Sequence, residues 1–87
     1  MTATLAPVVG LPLEKQRATV VHCTAVGSGW VVLAQRWNDF TPYVVWDCHN
    51  ESSETGEKFL SCHRGSYFFE QEFGDAINEY AKRGGAI

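Results

Sequence analysis

The sequence predicts an α+β fold: an antiparallel four-stranded β-meander with one C-terminal amphipathic helix packed on one face of the sheet. Three observations carry this. Between residues 18 and 64, four short runs rich in β-branched and aromatic residues alternate with clusters of turn-forming residues. A single apolar stripe at helical period then closes the chain. With 87 residues, there is room for one domain and no more.

Residues 1–13 read as an irregular N-terminal arm, punctuated by Pro7, Gly10 and Pro12. Either it frays, or its Leu5, Val8, Val9, Leu11 and Leu13 pack on the domain or on a partner. Residues 14–87 form the α+β domain. Ala18–Thr24 is the first expected strand, and Gly27-Ser28-Gly29 its turn. Trp30–Trp37 is the second, followed by the turn-rich Asn38-Asp39-Phe40-Thr41-Pro42. Tyr43–His49 is the third. The polar stretch Asn50–Lys58 reads as a solvated hairpin loop, Phe59–Arg64 as the fourth strand, and Gly65-Ser66 as its break. Phe69, Phe73, Ala76, Ile77 and Tyr80 then draw the helical stripe. Glu70, Glu72 and Asp75 in its first half, and Lys82 and Arg83 at its end, complement the macrodipole, while Gly84-Gly85 stop it. Gly74, about 1 kcal/mol worse than Ala in a helix, blurs where it begins.

A chain of this length buries only about 60–65% of its unfolded surface, so the core is small. Hydrophobic residues at 45%, with 13% aromatics, nonetheless suffice for one and argue against global disorder. Net charge is −3, and the seven basic residues are scattered. A dedicated nucleic-acid binder needs a basic stripe to displace counterions, so direct nucleic-acid binding is not expected. The three cysteines, Cys23, Cys48 and Cys62, are odd in number and widely spaced, unlike a secreted disulfide scaffold, and read as reduced small hydrophobes. Met1–Leu13 lacks a basic region and carries two prolines, unlike a signal peptide, and no run approaches the roughly 20 apolar residues of a membrane span. The expected location is cytoplasmic, with no membrane partner.

Each cysteine has a histidine neighbour: His22-Cys23, Cys48-His49 and Cys62-His63. Adjacent side chains of a strand point to opposite faces, so the cysteines are expected on one face and the histidines on the other. Three converging imidazoles would suit zinc, but no knuckle spacing is present, and neither a metal nor any other cofactor is expected. Nucleophilic catalysis would need a cysteine with its thiolate favoured by a helix N-terminus or a cation, and no cysteine starts a helix. Ser28 between two glycines leads into a strand rather than a helix, which excludes both a nucleophile elbow and a phosphate loop.

The segment Thr41-Pro42-Tyr43-Val44-Val45-Trp46, the pair Tyr67-Phe68 after Ser66, and Ala76-Ile77 followed by Tyr80 and Arg83 resemble small accessory proteins of bacterial phages and plasmids. The resemblance spans about half the chain; the stretch between Phe68 and Ala76 is longer than the pattern. It implies a neighbourhood in which some proteins of this size inhibit host defence complexes, in the manner of anti-CRISPR inhibitors or nucleic-acid mimics.

Two surfaces fit such a role. Seven of the ten acids lie between residues 51 and 79, giving that stretch a charge of −5 suited to a basic groove. A helix covers only one face of a sheet, yet Trp30, Trp37, Tyr43, Trp46, Phe59 and Tyr67 occupy both strand parities. Either the arm folds over the open face or a partner does. The reading is therefore a non-enzymatic protein-binding module that occupies a surface of a host protein or ribonucleoprotein complex. Its expected contacts are Trp37, Asp39, Phe40 and Tyr43 around the turn after the second strand, with Glu51, Glu54 and Glu57. Homodimerisation through the open face is compatible with it. The competing reading is a small metal-dependent or thiol enzyme using His22, His49, His63 and a cysteine.

Overall fold

A computed structural model describes residues 6–85. Five strands, β1 (Pro12–Leu13), β2 (Ala18–Val26), β3 (Gly29–Arg36), β4 (Tyr43–Ser52) and β5 (Lys58–Phe68), form one antiparallel sheet in chain order. One turn of 3-10 helix (Glu70–Glu72) leads into the helix α1 (Phe73–Lys82). The α+β class, the meander and the single C-terminal helix agree with the sequence reading; the strand count does not.

The additional strand comes from the arm. Pro12 and Leu13 pair with Thr19 and Ala18, and an edge position suits a proline, which has no N–H to lose there. Next to this pair, Gly10 N–H donates to the Val20 carbonyl and Val20 N–H to that of Leu11. Leu13 is buried and Leu11 packs against the same core, whereas Val8 and Val9 stay exposed; Leu5 lies outside the described residues.

Gly65-Ser66 does not end the last strand. Val45 pairs with Ser66 and Asp47 with His63, so Trp46 faces two residues, Arg64 and Gly65, across a β-bulge. Arg64 takes a φ of 56°, and a Cβ on Gly65 would stand 2.8 Å from both the Trp46 Nε1 and the Tyr67 hydroxyl. The glycine therefore admits the bulge, and β5 continues to Phe68. A second bulge lies in β2 between Val20 and His22. Each bulge inverts the side-chain alternation of its strand, which is how apolar residues on both parities still reach a core.

There are two cores, one on each face. Val31, Leu33 and Val45 meet Ala76 and Tyr80 of α1 on the first face. On the other, Leu13, Ala18, Val20, Val32, Ala34, Val44, Trp46 and Cys48 form a second cluster with no helix over it. The arm and the curl of the sheet cover that face: Pro7 is buried beside Cys23, whose thiol donates to the Pro7 carbonyl (3.2 Å). Lys15, between β1 and β2, reaches to 5.7 Å from the Phe59 ring at the start of β5.

The helical stripe is split. Its first residues form the 3-10 turn, where the Glu72 carboxylate accepts the Phe69 N–H (2.8 Å), and α1 proper begins at Phe73. Gly84, at φ 102°, reverses the chain after α1. Among the described residues no helix is long and apolar enough to cross a membrane.

Candidate functional site

The turn between β3 and β4 is braced by three side chains, those of Arg36, Asp39 and Thr41. Arg36, the last residue of β3, forms an ion pair with Asp39 (2.7 Å) and donates to the Thr41 hydroxyl (3.0 Å). Asp39 Oδ1 accepts the Thr41 N–H (3.0 Å) and the Thr41 hydroxyl (3.1 Å), an Asx-type turn. Asn38 sits at φ 52°, a conformation that asparagine tolerates. Phe40 lies at the centre of this brace and is 93% exposed, with no part in either core. A large apolar ring left in water on a cross-linked turn is the most anomalous feature of the surface.

The other residues expected at this surface are tied to the fold. Trp37 is half-exposed, but its indole N–H donates to the Thr19 hydroxyl (2.8 Å) and its backbone N–H to the Arg17 carbonyl. Tyr43 packs against the inner core and lies 4.6 Å, centroid to centroid, from the Phe73 ring. Asp39 holds the turn. Of these four, Phe40 is the one whose side chain takes no part in either core or in the hydrogen bonds of the turn.

Glu51, Glu54 and Glu57 lie elsewhere. The turn is at one end of β4 and these acids are at or beyond the other, along a ten-residue strand about 30 Å long. The stretch from 51 to 79 therefore makes no single acidic face. Glu51 Oε1 accepts from His49 Nε2 at 2.8 Å, and Glu54 and Glu57 belong to the Ser53–Glu57 hairpin turn. Glu72 is spent on the Phe69 N–H, and Glu79 on Arg83. Glu70 instead lines an open cleft of about 430 Å³ with Gln35, Arg36, Asn38, Asp39, Phe40, Pro42 and Tyr43. Sequence reasoning missed Glu70 and Arg36 here, because the fold brings the start of the helical segment beside the turn and no spacing announces it. Tyr67 and Phe69, each half exposed, and Phe73 add aromatic surface in the segment beside Tyr43; the Arg36 guanidinium stacks 4.8 Å over the Tyr67 ring.

The Asp39 carboxyl lies below the ordinary carboxylate range, chiefly because it accepts the Thr41 N–H and then through the Thr41 hydroxyl and Arg36. A depressed carboxyl braces the turn fully above the unfolded value of about 3.9 and releases it as pH falls through its own lower value. Below about pH 4, the Thr41 amide resonance should therefore move and its protection against exchange fall, while the core amides of β3 and β4 keep theirs. A Thr41 amide that stays put down to the global acid transition would show that the brace does not form.

Cysteines and histidines divide as expected. Cys23, Cys48 and Cys62 belong to or pack against the cluster away from the helix. His22 lies near Tyr80 of α1, ring centroids 6.1 Å apart. His49 and His63 stand edge to face at 5.0 Å on β4 and β5, two and three strands away from β2. No cysteine thus shares a face with its neighbouring histidine, and the three imidazoles do not meet. Among the described residues no group of three or more His, Cys, Asp or Glu side chains is placed to hold a metal ion.

His49 and His63 do line a second cleft, of about 460 Å³, with Ser28, Asp47, Arg64 and Arg83. Its charges are spent on one another. Asp47 meets Arg83 at 3.3 Å and Arg64 at 3.5 Å; Arg83 also bonds Glu79 (2.8 Å), the Arg64 carbonyl (2.7 Å) and the Ser66 hydroxyl (2.8 Å). This cleft is a brace between the end of α1 and the bulge of β5. The chain matches no protein family, no curated protein and no solved structure.

Proposed function

We propose that the protein is a non-enzymatic binding module that inserts Phe40 into an apolar pocket on another protein. The observation that carries this is the 93% exposure of Phe40 on a turn fixed by Arg36, Asp39 and Thr41. Exposing an aromatic ring costs solubility and gains the fold nothing, whereas a preorganised aromatic is a typical hot spot at an interface. Asp39 and Glu70 beside it, on a chain of net charge −3, suit a pocket with a basic rim. An inhibitory role against a host complex, as an accessory factor of a mobile genetic element, is the form of this activity that the resemblance to phage and plasmid proteins favours.

The decisive variant is Phe40→Ala. Because the ring touches neither core, the melting temperature should stay within about 4 °C of the parent, since surface changes away from buried features stay within about 0.5 kcal/mol. Binding should fall by about 2 kcal/mol, roughly thirtyfold in Kd. Quantitative affinity capture from lysate of the source organism, with parent and variant as paired baits, identifies the partner by what the variant loses; titration with that partner gives the ratio. Identical retention on both baits would end this reading.

A further inference from the structure

Cys48 in β4 and Cys62 in β5 are register partners, held opposite each other between the pairs Asp47–His63 and His49–Ser61. Their sulfurs stand 2.6 Å apart, which leaves roughly 0.5 Å to an S–S bond. Both thiols are free, and both lie on the face away from the helix. We propose that this pair is a disulfide-forming site: a low-molecular-weight disulfide oxidises it to an intramolecular bond that ties β4 to β5, leaving Cys23 as a thiol.

The chemistry follows from the unequal surroundings of the two sulfurs. Cys48 is 3% exposed, whereas Cys62 is only partly buried and so meets a reagent first. The Cys48 S–H donates to the Cys62 sulfur and lowers the Cys62 thiol, while the same bond and burial push the Cys48 thiol up. The Cys62 thiolate attacks one sulfur of glutathione disulfide, its S–S bond breaks, and one glutathione thiolate leaves. Once Cys62 is a mixed disulfide, it no longer ionises beside Cys48. The Cys48 thiolate then attacks the Cys62 sulfur and expels the second glutathione thiolate. Two protein S–H protons end on two glutathiones, and the two electrons of the new protein bond reduce the oxidant. Cys23 has no such neighbour: its thiol is donated to the Pro7 carbonyl, and burial pushes it up.

Native protein at low micromolar concentration, incubated with glutathione disulfide at pH 8 and then blocked with iodoacetamide in denaturant, gives the test. Intact mass should show one alkylated cysteine and no glutathione adduct at completion. Peptide mapping should find the link between Cys48 and Cys62, and dithiothreitol should restore three alkylated positions. Cys23→Ser should oxidise as the parent does. Cys48→Ser should stop at glutathione on Cys62, because the second attack has no nucleophile. Three alkylated cysteines after oxidation of the parent, or a link that includes Cys23 or joins two chains, would overturn the assignment.

Discussion

Replacing Tyr80 by Ala should destabilise the protein by about 4 kcal/mol and lower its melting temperature by at least about 15 °C. Tyr80 is the largest fully buried side chain, at 0% exposure, and joins Ala76 in fastening α1 to Val31, Leu33 and Val45. Its hydroxyl reaches the Thr24 Oγ1 at 2.6 Å, across to β2. With Ala there, the ring's burial is lost and a cavity opens under the helix that the sheet below is too stiff to fill. A domain of this length holds only about 5–10 kcal/mol in total, so the variant stands near the limit of folding. Tyr80→Phe keeps the ring and loses the hydrogen bond to Thr24, at about 1 kcal/mol. Urea denaturation of the three proteins, followed by tryptophan fluorescence and by ellipticity at 222 nm, reads both numbers. If Ala and Phe cost the same, the ring is not what holds the helix.

Arg83→Met should cost about 2 kcal/mol, the second largest effect on stability. Its guanidinium, 16% exposed, spreads over Glu79, Asp47, the Arg64 carbonyl and the Ser66 hydroxyl, so one side chain joins the end of α1 to β4 and to both sides of the β5 bulge. Methionine keeps most of the stem and none of the donors. Lysine should rescue poorly, since a point charge cannot fork to four acceptors. A double-mutant cycle with Asp47→Asn should return a coupling of about 1 kcal/mol. Additive losses would mean that Arg83 and Asp47 are neighbours without being partners.

The legible parts of this fold were those written in local pattern. The meander followed from successive β-branched runs, and the position of the helix from Phe73, Ala76, Ile77 and Tyr80. The segregation of Cys from His followed from alternation alone. What escaped depended on partners distant in sequence. Gly65-Ser66 reads as a break until Trp46 is known to sit across from it, and Pro12-Leu13 reads as coil until the Ala18–Thr19 edge is there to pair with it. The candidate surface was half legible. Trp37, Asp39, Phe40 and Tyr43 do gather at one turn, but nothing in their sequence separates the three that the fold uses from Phe40, which it leaves free. Glu51, Glu54 and Glu57 seemed to belong with them only because sequence distance hides the length of β4.

The sheet order β1-β2-β3-β4-β5 also sets how the chain reaches its native state. Every strand pairs with its sequence neighbour, so the sheet can grow as successive hairpins, each closing a short loop. The contacts of α1 with β3 and β4 span longer sequence distances than the strand pairings, linking Tyr80 to Val31, Leu33 and Val45. Their long loops favour late formation in such a sequence of events. If α1 docks last, Tyr80→Ala should speed unfolding far more than it slows refolding, and stopped-flow rates in urea read the split.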